Sequence, residues 1–375
     1  MNKIATALLG FRQKCNLSDE KRICDGLSGV VSIGNTLWVV NDEMISLERL
    51  KCQGKWGDGT YRYGDHEQFE LDKYINLPAP SPSNPEDIQE ADIEGLDYSD
   101  GYLWLIGSHS LKRTKPKQEK SNKDNFERLA KVSADANRFL LARIPVITEN
   151  GIYVLEREGE QDGKRRTAAQ LHGDDKSSEL TVALAQDEHL QAFLSIPSKD
   201  NGFDIEGVAV VGDRIFIGLR GPVLRGWAVI LEIELKEDED KASTMKLKNI
   251  GPDDRPYHKH FLALGGLGIR DLCVRGSDLL ILAGPTMDLD GPVTLINWPG
   301  GTQPEGDSLV FADQLPIVME VPYGRGKNKG MDHAEGITLF GENAHSVLIV
   351  YDAASKDRQN NEDNSVTADI FELPG

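Results

Sequence analysis
Asp204-Ile205-Glu206-Gly207-Val208, leading after a short gap into Asp213-Arg214-Ile215-Phe216-Ile217-Gly218, is one of five variants of a single phrase in this chain. Asp25-Gly26-Leu27-Ser28-Gly29-Val30 leads into Asn35-Thr36-Leu37-Trp38-Val39-Val40, and Asp92-Ile93-Glu94-Gly95-Leu96 into Gly101-Tyr102-Leu103-Trp104-Leu105-Ile106. Gly268-Ile269-Arg270-Asp271-Leu272 precedes Asp278-Leu279-Leu280-Ile281-Leu282, and His333-Ala334-Glu335-Gly336-Ile337 precedes Ser346-Val347-Leu348-Ile349-Val350. With positions 29, 95, 207, 271 and 336 taken as equivalent, the steps are 66, 112, 64 and 65 residues. A near-constant period with one long insertion marks a repeat architecture. The period is too long for a helical solenoid and suits a four-stranded blade with generous loops, so the expected fold is an all-β propeller of five four-stranded blades. Six blades would need a hidden blade inside the long second repeat.

Each repeat supplies an innermost strand, a hairpin into an apolar second strand, and two outer strands. The third strands are expected at 45–51, 138–145, 227–235, 293–298 and 367–373, and the fourth at 68–77, 191–197, 260–264 and 316–321. The fifth repeat ends without a fourth strand, while 4–12 precedes the first phrase as a spare apolar segment. That segment is expected to complete the last blade and cover its open edge. Residues 1–375 then form one domain, with an insertion at 112–190 whose stretches 124–132 and 177–193 read as helical. The insertion is either a lid over one mouth of the ring or surface decoration.

No apolar run of 18 residues is present, so no transmembrane helix is expected, and 1–11 is too short in its apolar part for a signal peptide. Cys15, Cys24, Cys52 and Cys273 have no metal-ligand spacing and read as reduced thiols of a cytoplasmic protein. The formal net charge of −19 opposes binding to a phosphate backbone and is compatible with cation binding. The Gly-rich basic run 323–330 lacks the spacing of a phosphate loop, and no Gly-x-Ser-x-Gly, His-Glu-x-x-His or Walker motif occurs.

The start of a first strand and the end of its hairpin partner lie at one end of a blade. Ser28, Glu94, Glu206, Arg270 and Glu335 are therefore expected to ring one mouth of the channel. Asp42, His109, Arg220 and Asp352 join them from the ends of the second strands, and Asp271 lies beside Arg270. Unpaired carboxylates so arranged repel one another. Either a hard cation such as Ca²⁺ binds among Asp92, Glu94, Asp204 and Glu206, or Arg220 and Arg270 balance them. A third reading makes each Glu a lock that bonds to the neighbouring blade. His109 is the candidate general base, and the glycines that follow the ring residues suit close backbone packing near the axis.

Ile196-Pro197-Ser198-Lys199-Asp200-Asn201-Gly202-Phe203-Asp204-Ile205-Glu206-Gly207-Val208 resembles a bacterial family known as domain of unknown function 3616. So do Gly218-Leu219-Arg220-Gly221-Pro222-Val223, Leu267-Gly268-Ile269-Arg270-Asp271-Leu272 and Leu282-Ala283-Gly284-Pro285-Thr286-Met287. The resemblance implies a cytoplasmic propeller with no established activity. More distantly, Ser28-Gly29, Asp92-x-Glu94-Gly95 and Asp204-x-Glu206-Gly207 are similar to phytase-associated esterase-like propellers. That similarity implies ester or phosphoester hydrolysis, often with Ca²⁺, although Arg270-Asp271 departs from the Glu-Gly pattern.

Two functional readings follow. The mouth is a rigid binding site for a small ligand, a peptide or a protein partner, without membrane or nucleic acid. Alternatively, Glu94, Glu206 and Glu335 surround a cation in a metal-assisted hydrolase, with His109 or a metal-bound water as base and Arg220 and Arg270 holding an anionic substrate.

Overall fold
The computed structural model describes residues 2–18, 21–79, 89–287, 289, 291–324, 327, 329–341 and 344–374. It is all-β, with 51% of residues in strands. The strands group by antiparallel pairing into successive units that follow the repeats. The first unit is Leu27–Ile33, Thr36–Asn41, Ser46–Lys55 and Thr60–Glu70. The second is Ile93–Ser99, Tyr102–Gly107, Leu141–Glu149 and the short Ala169–Leu171. The third is Asp204–Val211, Arg214–Gly221, Trp227–Glu237 and His258–Ala263. The fourth is Gly268–Arg275, Asp278–Gly284, Val293–Trp298 and Ile317–Val321. The fifth contributes His333–Phe340, Ser346–Asp352 and Ser365–Glu372.

The fourth strand of the fifth unit is Lys3–Gly10, which pairs antiparallel with Ser365–Glu372, as the spare N-terminal segment predicts. Its other edge pairs parallel with the outer strand of the first unit, Thr6 opposite Thr60. Both edges of the joining strand are thus hydrogen-bonded, which removes an exposed edge.

The innermost strands touch in sequence around a closed cycle. A Cβ added at Gly95 would lie 2.9 Å from Val208 N in the third unit, and one at Gly207 would lie 2.9 Å from Asp271 Cα in the fourth. One at Gly336 would lie 3.1 Å from Gly29 Cα in the first unit. Backbone approaches this near admit only glycine, which accounts for its place in the phrase. In the fourth unit Asp271 stands at the glycine position and turns the contact into a bond: its Oδ2 accepts from Ile337 N of the fifth unit at 2.7 Å. Asp97 Oδ2 accepts from Val210 N at 2.6 Å in the same manner.

Apolar side chains pack between neighbouring units rather than in one central core. Trp38, Val40, Leu96 and Leu105 meet between the first and second, and Ile106, Val208, Ile217 and Leu231 between the second and third. Phe216, Ile230, Leu272 and Ile281 fill the next gap, and Val30, Val39, Ile337 and Ile349 the last.

Several elements differ from expectation. Residues 191–197 make a 3₁₀ turn, Gln191–Phe193, and no strand; the second unit takes its outer strand from Ala169–Leu171 instead. The helix expected at 177–193 stops after Glu179–Leu184. Beyond it Asp187 accepts from the backbone N–H groups of His189 and Leu190, drawing the chain into a turn that competes with helix. The other insertion helix forms as Asn122–Ala130, capped by Ser121. The range 112–190 also holds the second unit's strands Leu141–Glu149 and Ala169–Leu171, and its remainder makes two-stranded pieces such as Glu158–Gln161 with Lys164–Thr167. Among the described residues no helix is long and apolar enough to cross a membrane. The basic run 323–330 lies partly outside the described residues.

Candidate functional site
In each unit the innermost strand carries a β-bulge at the equivalent residue. The register of strand pairing skips Ser28, Glu94, Glu206, Arg270 and Glu335 in turn. A bulge inserts one unpaired residue and re-aims its side chain. The five ring positions read from the sequence are therefore five bulged residues, and three of them project into one cleft.

That cleft has a volume of about 480 Å³ and is lined by Glu94, Glu206 and Glu335 together with Asp42, Asp92, Asp204, Arg220 and Asp352. Arg270 adjoins it through Nη1, 2.7 Å from Glu206 Oε2 and 3.0 Å from Glu335 Oε1. Arg220 clamps Asp204 at 2.5 Å and Glu206 at 2.6 Å. Arg138, which the sequence reading passed over as the start of a strand, pairs with Asp92 at 2.7 Å. All these paired groups are buried. The three arginines thus pair with the four carboxylates Asp92, Asp204, Glu206 and Glu335 by charge-assisted bonds.

Asp42, Glu94 and Asp352 also line the cleft but make no ion pair among the described residues. Asp42 and Asp352 sit close together: a Cβ on Gly26 would meet Asp42 Oδ1 at 2.8 Å and Asp352 Oδ1 at 3.3 Å. Burial, then the charge of Asp352, pushes the Asp42 carboxyl well above the usual carboxylate range. Burial, then Asp92, Glu206, Glu335 and Asp42, does the same to Glu94. Asp352 is raised by burial, against the pull of Arg270 and His333. The depth of the cleft thus holds three acids that, among the described residues, are closed by no ion pair.

The beginning of the insertion covers this mouth. Lys112, Arg113, Thr114, Lys115, Pro116 and Leu129 form part of the lining. Lys112 is tied to Asp135 and, at 3.3 Å, to Glu90; Arg113 is tied to Asp200 at 2.7 Å. The later part of the insertion lies at the opposite end of the inner hairpins, with Tyr153 against the turn at Gly34 and Arg166 against the turn at Gly101. One insertion therefore serves both as cover for the mouth and as packing on the other face. Lys199, exposed at the rim, comes from the segment before the third phrase.

Three expected site residues stand elsewhere. Ser28 is buried and donates from Oγ to Ile93 O at 2.6 Å, joining the first and second units. Asp271 is the inter-unit lock described above. His109 is buried in a left-handed turn (φ 53°), with Nδ1 2.9 Å from Gly107 O and its ring against Phe139. It is not among the residues lining the cleft. Burial pushes its imidazole down to about 4, so it is neutral near pH 7. Of the four carboxylates read as a Ca²⁺ set, Asp92, Asp204 and Glu206 are ion-paired to arginine, a poor fit to a divalent cation. Among the described residues no group of three or more His, Cys, Asp or Glu side chains is placed to hold a metal.

Residues 26–369 match a family described as a protein of unknown function, DUF3616. The chain belongs to that family. No curated protein matches it. Among solved structures it is similar to a glutaminyl cyclase from Myxococcus xanthus, at 8% identity and a TM-score of 0.37, with 100% of both chains covered. It is also similar to the PQQ-bound aldose sugar dehydrogenase of Streptomyces coelicolor, at 9% identity and a TM-score of 0.34, with 98% of both chains covered.

Proposed function
We propose that the five units form a five-bladed β-propeller whose insertion-bearing mouth binds a small ligand or peptide through an amino or guanidinium group. The closed cycle of inner strands supports the five blades, and the absence of a further four-stranded unit among the described residues of the insertion speaks against six. Residues 1–375 form one domain in this reading, and a cytoplasmic location accords with the four free thiols.

One observation carries the ligand class. Asp42, Glu94 and Asp352 face a cleft of about 480 Å³ and make no ion pair among the described residues, while Asp92, Asp204, Glu206 and Glu335 each pair with an arginine. A ligand cation entering there relieves the repulsion among these acids and gains charge-assisted bonds in a partly dry site. Lys199 at the rim suits an anionic group on the far end of the same ligand, and a zwitterion or peptide terminus meets both requirements. Metal-assisted hydrolysis, the competing reading, would need Asp92, Asp204 and Glu206 released from Arg138 and Arg220.

The test is thermal shift followed by calorimetry with amines, guanidines, amino acids, short peptides and CaCl₂, each with and without chelator. An amine or guanidine that binds regardless of chelator, and at least tenfold more weakly to Glu94→Gln, is the expected result. Stoichiometric Ca²⁺ whose removal lowers the melting temperature would transfer the site to the metal reading. Binding by neither class would sink both.

A further inference from the structure
A second constellation lies on the outer edge of the third unit, away from the cleft. His260, on the fourth strand, is fully buried. Its Nε2 lies 3.0 Å from Glu232 Oε2 on the third strand, and its Nδ1 lies 2.8 Å from Ser308 Oγ. Glu232 is steadied in turn by Arg214 Nε at 3.4 Å. Ser308 opens the short strand Ser308–Val310, which pairs parallel with His258–Ala263 so that Ser308 stands opposite His260. Unlike the histidine, Ser308 is only partly buried, and it forms part of the wall of a surface cavity of about 590 Å³.

The first unit supplies an internal comparison. Glu48 Oε2 and His66 Nε2, on the corresponding third and fourth strands, lie 2.5 Å apart. There Nδ1 accepts from the backbone N–H of Arg12 at 3.0 Å, so both ring nitrogens are used in holding strands together. In the third unit the same Glu–His tie leaves Nδ1 facing a hydroxyl on a cavity wall. With Nε2–H donated to Glu232, the lone pair on Nδ1 is directed at the Ser308 O–H. That is the nucleophile–base–orienter order of a serine hydrolase, with the two imidazole nitrogens exchanged; such arrangements are recognised by geometry and role rather than by position in the chain.

We propose that Ser308 is the nucleophile of an acyl-transfer site, with His260 as its base and Glu232 as the positioning residue, acting on uncharged carboxylic esters with an apolar acyl group. Ser308 Oγ attacks the ester carbonyl as its proton passes to His260 Nδ1. The tetrahedral adduct collapses with loss of the alcohol, which takes that proton, leaving acyl-Ser308. Water then attacks the acyl carbon, gives a proton to His260, and releases the carboxylic acid as Ser308 is re-protonated. The substrate class follows from the cavity. Trp298, Pro299, Pro304, Leu309 and Pro316 offer apolar walls, and Leu309, Phe311 and Ile317 present exposed apolar side chains alongside. Glu305 and Asp313 in the same lining repel anionic esters.

The experiment treats the full chain with a fluorophosphonate probe, locates the adduct by peptide mass, and follows hydrolysis of p-nitrophenyl butyrate in parallel. The expected result is an adduct on Ser308, with labelling and turnover lost in Ser308→Ala at an unchanged melting temperature. Turnover in His260→Gln should fall by a factor of about 100 or more. If that variant fails to fold, Glu232→Gln replaces it, with at least a tenfold loss expected. A folded wild-type protein without an adduct at Ser308, or turnover that survives Ser308→Ala, overturns the proposal. A lowered melting temperature of Ser308→Ala without labelling of the wild type does so too, because the hydroxyl then only ties strands together.

Discussion

Replacing Glu94 and Glu206 by glutamine should move stability in opposite directions, although the two residues occupy equivalent bulges in adjacent units. Glu206 is 2% exposed, and its two oxygens meet Arg220 and Arg270. Removing one member of a buried ion pair typically costs 3–5 kcal/mol. Here each arginine keeps a second carboxylate, Asp204 or Glu335, and the new amide oxygen still accepts one bond. The lower end, about 3 kcal/mol, is therefore expected. A chain of 375 residues unfolds with an entropy of roughly 0.8 kcal/mol/K. Glu206→Gln should then melt about 4 °C lower.

Glu94 makes no ion pair among the described residues, and its carboxyl is raised by burial and by four neighbouring acids. A group whose folded value lies above its unfolded value contributes stability at low pH and loses it as pH rises through the folded value. The neutral glutamine escapes that loss, so Glu94→Gln should be more stable than wild type near pH 7.5 by about 1 kcal/mol. The advantage should shrink as pH falls through 4.5, the ordinary glutamate value, and vanish below it, where wild-type Glu94 becomes protonated in both states. Differential scanning calorimetry of both variants from pH 4 to pH 8 reads the two signs at once. A Glu94→Gln midpoint that falls at pH 7.5, or a difference that ignores pH, would refute the claim that these acids are uncompensated.

Two further outcomes follow from the ring itself. Gly207→Ala places a methyl 2.9 Å from Asp271 Cα and 3.0 Å from Leu272 N, backbone that cannot yield, and should destabilise by about 1–3 kcal/mol in a denaturant titration. Deleting residues 2–10 removes the buried Ala7 and Leu9 and bares the edge of Ser365–Glu372, so light scattering should show association that the full chain lacks.

The strand order around the ring was legible because the phrase encodes local geometry: the polar residue before each glycine is the bulge, and the glycine is the contact with the next strand. Position 271 shows how far that code reaches, since an aspartate there accepts the amide that a glycine would merely approach. The paired partners were less legible. Arg220 and Arg270 sit inside the repeat and were found, whereas Arg138 lies within the insertion in a 3₁₀ turn, Ala136–Phe139, with no repeated counterpart to flag it. His109 was placed at the mouth by strand direction alone, and its left-handed backbone sends the ring into the protein instead. The Ser308–His260–Glu232 chain joins three strands from distant positions and leaves no motif in the sequence.

The strand that completes the fifth unit is made first and gains its second partner last. Lys3–Gly10 leaves the ribosome hundreds of residues before Ser365–Glu372, its antiparallel partner, and cannot be seated in the last unit until that partner has emerged. During synthesis the early units therefore assemble as an open arc, with Lys3–Gly10 able to pair on only one of its edges, against Thr60–Glu70, and an unpaired edge growing at the other end. Joining the two is a chain-length checkpoint: a product cut short just before residue 365 keeps Lys3–Gly10 and lacks only the strand that receives it. Such fragments should be marked for aggregation or degradation by that edge alone, whatever ligand the mouth was built to hold.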